Sequence, residues 1–145
     1  YITSSNANLT IIDVNNLSML PIIGSYNYGI SFYEPFVDGN YAFIPQGTTG
    51  VQVLNITKLP FPEFVSSIFA RKFTKQVVAS NFYVWVADEY TVEGFYSKES
   101  KTFLFAGNYD NGLAVINRIA VVDGKYIYVC SNDKKIKALK IDYKY

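Results

Sequence analysis

Val37-Asp-Gly-Asn-Tyr-Ala-Phe-Ile44, followed by Gly50-Val-Gln-Val-Leu-Asn-Ile56, is the stretch on which the fold is decided. Asp-Gly between apolar segments is the strongest short hairpin signal, because glycine accepts the positive φ that a tight turn needs. The flanking residues are largely aromatic or β-branched, which suits a pleated, half-buried surface. The stretch predicts a short strand running into the turn, an aromatic-led strand leaving it, and another strand after a polar loop.

Both runs recur along the chain. Tyr1-Ile-Thr-Ser4, Tyr41-Ala-Phe-Ile44, Phe82-Tyr-Val-Trp85 and Tyr126-Ile-Tyr-Val129 start 40, 41 and 44 residues apart. In step with them run Leu9-Thr-Ile-Ile-Asp-Val14, Val51 to Ile56, Val92-Glu-Gly-Phe-Tyr-Ser97 and Ile136-Lys-Ala-Leu-Lys-Ile141. A turn precedes each later copy: Val37-Asp-Gly-Asn40, Ala79-Ser-Asn81 and Val122-Asp-Gly-Lys125. A looser register comprises Ile22 to Asn27, Phe64 to Phe69 and Leu104 to Asp110.

A fixed period near forty residues marks a repeat architecture. Strands this apolar on both faces need covering on both sides, which radially stacked blades provide. The expected fold class is all-β: a β-propeller, or a propeller segment of about 3.5 four-stranded antiparallel blades built from roughly fourteen strands. Residues 1–145 read as a single propeller-like repeat domain, part of a longer chain. It enters at the second strand of one unit and stops after the third of another. Two complete blades then lie between two partial ones, closed by further residues of the same polypeptide or by another chain.

The stretch from Val37 to Pro62 resembles the LVIVD repeat, a family of β-propeller units. Asp38-Gly-Asn-Tyr-Ala-Phe-Ile44 is similar to its Gly-Asn-Tyr-Ala-Tyr-Val strand, and Gly50 to Ile56 to its Gly-Leu-x-Val-Val-Asp-Val strand. Leu59-Pro-Phe-Pro62 and Gly24-Ser-Tyr26 are similar to its proline-containing segment and outer strand. The likeness is fair in the first and fourth units and poor in the third, where Glu93 to Lys101 has lost the motif. The resemblance implies a propeller of cell-surface or secreted proteins, usually without catalytic residues.

Composition narrows the function. Thirteen basic and twelve acidic residues leave a net charge of +1, so no global field recruits nucleic acid or an anionic membrane. Histidine is absent, removing the commonest metal ligand and the usual neutral-pH proton shuttle. Two uncharged stretches, Val14 to Tyr33 and Gly39 to Thr57, have the length of a membrane span, but their Asn, Pro and Gly residues argue against crossing lipid. The lone Cys130 sits in an apolar run and reads as a small buried hydrophobe. No catalytic residue, metal or cofactor is expected.

The expected function is a noncatalytic structural or protein-binding module of an extracellular or cell-surface assembly, with other protein chains as partners. Tyr26, Tyr28, Phe32, Tyr33 and Phe36 lie densely near a loop and are the candidate protein contact. Asn8, Asn16 and Asn55 open glycosylation sequons. Trp85, Tyr83, Tyr126 and Tyr128 could stack on a sugar, but their alternation favours packing between blades.

Two alternatives remain. In one, Asp88, Glu89 and Asp133 form an acidic enzyme site in the axial funnel, because paired carboxylates can cleave glycosides without histidine. Asp110 joins these acids on one rim, where solvated turn acids are the simpler reading. Arg71, Lys72 and Lys75, or Lys134 and Lys135, could hold a phosphate or carboxylate, but charged loops serving solubility are the favoured reading. The other alternative is an intracellular scaffold.

Overall fold

A computed structural model describes residues 2–3, 8–15, 18–27, 33–99 and 101–142. Among these residues fourteen strands form four antiparallel sheets, and no helix is long and apolar enough to cross a membrane. The first sheet holds β1 (Ile2–Thr3), β2 (Asn8–Ile12) and β3 (Ile22–Asn27). The second holds β4 (Phe36–Asp38), β5 (Tyr41–Pro45), β6 (Val51–Asn55) and β7 (Glu63–Ile68). The third holds β8 (Gln76–Ser80), β9 (Tyr83–Ala87), β10 (Thr91–Tyr96) and β11 (Leu104–Asp110). The fourth holds β12 (Ile116–Val122), β13 (Tyr126–Ser131) and β14 (Ile136–Lys140). Strands follow one another in chain order within every sheet, the meander expected of propeller blades.

Side-chain alternation along a strand lets each sheet face two neighbours. In β5, Ala42 and Ile44 join Leu9, Leu54 and Ile56 in a core between the first and second sheets. Tyr41 and Phe43, on the other face, pack with Val77, Ala79, Val84 and Val86 of the third. In β9 the same division sets Val84 and Val86 toward the second sheet and Tyr83, Trp85 and Ala87 toward Ile127 and Val129 of the fourth. Each fully buried aliphatic contributes roughly 1.5–3 kcal/mol of transfer free energy, so three such cores hold the stack together.

The turns account for where strands begin and end. Asp38 pairs with Tyr41 around Gly39, whose φ is +55°. Between Ser80 and Tyr83, Asn81 and Phe82 both take positive φ, 51° and 68°, as a type I′ hairpin requires. The third aromatic strand therefore starts at Tyr83 rather than at the expected Phe82, which is exposed in the turn. The second register also stops short of Val14 and Ile56. Asp13 Oδ1 accepts the Asn15 N–H at 2.9 Å, and Asn55 Oδ1 accepts the Thr57 N–H at 2.9 Å, so an Asx turn ends each strand. The third unit forms a full four-stranded sheet although its motif is degraded.

Candidate functional site

The loops after the aromatic strands and those after the outer strands meet on one side of the stack. Gly47 and Thr74 exchange backbone hydrogen bonds of 3.1 and 2.9 Å, tying a second-sheet loop to the entry of the third. Asn111 N–H donates to Tyr90 O, and Asn132 N–H donates to Val115 O, repeating the connection further along. These bonds tie the described rim loops of the second, third and fourth sheets to one another.

The rim acids are committed to their own turns. Asp88 Oδ1 accepts the Tyr90 and Thr91 N–H groups at 2.6 and 2.7 Å, and its Oδ2 accepts the Thr91 hydroxyl at 2.8 Å. Asp110 Oδ1 accepts the Gly112 N–H at 2.8 Å. Glu89 pairs with Lys75, whose pKa is raised first by that hydrogen bond, against a smaller opposing effect of desolvation. Asp133 accepts the Ser131 hydroxyl at 2.6 Å, which holds its carboxyl below the ordinary value; the Lys135 N–H and the nearby Lys135 and Lys137 charges act in the same direction. Among the described residues no three Cys, Asp or Glu side chains converge as a metal site.

Glu93 is a buried acid that the sequence reading passed over. Its side chain is 8% exposed, its Oε2 accepts the Arg71 N–H at 3.0 Å, and the Arg71 guanidinium lies 4.3 Å from the Phe105 ring centroid. Lys72 lies 3.8 Å from Asp88. Thus Arg71, Lys72 and Lys75 each have an acidic neighbour, and Lys134 and Lys135 lie exposed beside the Asp133 turn. Glu93, Asp88, Thr74 and Lys72 border a void of about 10 Å³, where the buried Thr74 Oγ1 has no hydrogen-bond partner among the described residues. A void of that size takes a single water molecule.

The five aromatic candidates do not form one patch. Tyr28 and Phe32 lie outside the described residues. Tyr26 is half-buried and packs into the core between the first two sheets. Phe36 packs at the edges of the other two cores, and it lines a cleft of about 250 Å³ between β4, β8 and β12 with Gln76 and the Glu34–Arg118 ion pair. Tyr33 is exposed and meets Phe73 edge-on, with 5.9 Å between ring centroids. Phe73, which spacing did not single out, lies so close over Gly47 that a Cβ there would come within 2.8 Å of the ring.

Trp85 is buried and stacks on Tyr83 at 5.9 Å, toward the fourth sheet. Of the sequon residues, Asn8 opens β2 and is half-buried, and Asn16 lies outside the described residues. The Asn55 Oδ1 accepts the Thr57 hydroxyl at 2.7 Å.

Residues 1–28 match the family model of the LVIVD repeat. The match falls on the first unit, where Leu9-Thr-Ile-Ile-Asp-Val14 keeps the aspartate that Asn55 replaces in the second. The computationally designed Ika8 protein superposes with a TM-score of 0.71 at 12% identity, over 95% of this chain and 41% of its own. For the computationally designed Ika4 protein the TM-score is 0.73 at 12% identity, over 96% of this chain and 82% of its own. The chain therefore spans less than half the length of Ika8. Comparison with curated proteins gives no match. At such identity the likeness concerns the fold: a repeat protein of β-propeller architecture.

Proposed function

We propose that this chain is a noncatalytic structural or protein-binding β-propeller module of an extracellular or cell-surface assembly. The observation that carries the reading is the use of the polar rim groups as structural caps: Asp88, Asp110 and Asp133 each close a turn, and Glu89 pairs with Lys75. Carboxylates committed in this way brace loops for display, and exposed side chains such as Tyr33 and Phe73 supply contact area on that display face. The sequons at Asn8 and Asn55 favour the extracellular location.

Intact-mass measurement of the native protein before and after deglycosylation tests the location. Loss of glycan mass is expected, and an unmodified chain recovered from the cytosol would contradict it. The acidic-funnel enzyme is tested by replacing Asp88, Glu89 and Asp133 together. The module reading predicts no hydrolytic activity to lose, and a glycosidase activity abolished by the triple replacement would overturn it.

A further inference from the structure

A cleft between the turn ends of the second and third sheets carries groups that packing does not explain. It holds about 300 Å³ at the end of the stack opposite the loop rim, between the β4–β5 hairpin, the β8–β9 hairpin and the segment entering β11. Both sheets are four-stranded and central, and the lining comes from them alone. Five aromatic rings line the cleft: Tyr41, Phe43, Phe82, Tyr83 and Phe103. Phe43 and Tyr83 are buried and form its floor. Phe103 meets Phe43 edge-on, with 6.4 Å between ring centroids and 84° between ring planes. The lining has one charged side chain, the exposed Asp38, and among the described residues no cation pairs with its carboxylate.

Phe82 supplies a second, independent observation. A two-residue type I′ turn favours Asn-Gly, because both positions need positive φ and a bulky side chain is strained there. The turn joining β4 to β5 has Gly39 at +55° and the turn joining β12 to β13 has Gly124 at +62°, whereas the third sheet holds Phe82 at +68°. Little burial offsets that strain, since Phe82 is 60% exposed. An aromatic residue kept in a strained conformation without a packing gain points to a surface used for contact.

Building on the propeller-module reading, we propose that this cleft binds a cationic side chain, lysine or arginine, from a basic segment of a partner protein. Aromatic ring faces attract an organic cation through their negative quadrupole. The apolar stem of the side chain packs on Phe82 and Phe103, and the lone Asp38 carboxylate supplies the counter-charge. A neutral sugar would stack on the same rings but leave that charge unmatched.

The probe is N-acetyl-lysine methylamide, titrated into the folded chain and followed by amide chemical shifts, with the norleucine analogue as its uncharged counterpart. The lysine probe is expected to move the resonances of residues 38–41 and 81–83 and to bind more weakly as salt rises. The norleucine probe should bind about tenfold more weakly, and Asp38→Asn should cost the lysine probe a similar factor. Phe82→Gly should also weaken lysine binding while preserving or raising the unfolding midpoint, because glycine relieves the strained turn. Equal binding of both probes, shifts confined to other residues, or no shift in the folded wild type would overturn the proposal. A Phe82→Gly variant with full lysine affinity would do the same, and binding of methyl glucoside in place of lysine would assign the cleft to a sugar. A silent lysine probe sinks only the cleft, whereas a glycosidase activity abolished by replacing Asp88, Glu89 and Asp133 sinks the module reading.

Discussion

Among the described residues, the second and third sheets are covered on both faces and the first and fourth on one, although the same strand registers generate all four. Trp85 and Tyr128 make the contrast concrete. They occupy equivalent positions on β9 and β13, but Trp85 is buried against the fourth sheet and Tyr128 is half-buried on the outward face of that sheet. Burial in this molecule is set by whether a neighbouring sheet follows, and the local sequence is nearly the same in both settings.

The largest difference should appear when those two residues are truncated. Trp85→Ala is expected to cost about 3–5 kcal/mol in denaturant unfolding, as for other large-to-small core changes. Tyr128→Ala should cost about 1 kcal/mol or less, because fewer contacts are lost. Equal losses would mean that both faces are equally covered and would break the comparison.

A second contrast lies between buried and exposed carboxylates. Glu93→Ala leaves the Arg71 N–H without its acceptor and removes the acid beside the Arg71 guanidinium, so a loss of about 1–3 kcal/mol is expected. No such loss is expected at Asp110, an exposed turn acid.

The smallest effect concerns pH. The Asp133 carboxyl is held below its ordinary value of 3.8, first by the Ser131 hydroxyl. Its ionised form therefore favours the folded state above that value, and the contribution disappears as pH falls through the lower folded value. Asp133→Asn should lower the neutral plateau slightly and flatten the acid limb below pH 3.8, so that variant and wild type converge at acid pH. An unchanged acid limb would show that the Ser131 contact does not contribute.

Much of the fold was legible because strand spacing, turn residues and alternation all follow from local chemistry. Four aromatic-led runs gave β1, β5, β9 and β13, and the described residues form fourteen strands, the number expected. Phe82 misled because an aromatic residue beside a strand normally extends it; here the two-residue turn imposes a positive φ on it. The candidate site was less legible. Tyr26, Tyr33 and Phe36 are near in sequence, but the strand ends between them send one into a core, one onto the rim and one to the axial cleft. Glu93 escaped notice because its acceptor role depends on Arg71, a residue 22 positions away on a neighbouring loop. Phe73 likewise matters through Gly47 and Tyr33, which no spacing rule connects to it.

Native-state amide hydrogen exchange, resolved by strand, tests the stacked-sheet account most directly. Protection follows burial and cooperative packing, so the slowest amides should lie in β5, β6, β9 and β10, shared between the two central sheets. The edge strands β1 and β14 should exchange fastest. Strong protection confined to a single sheet, or slowest exchange in β1 and β14, would contradict the account.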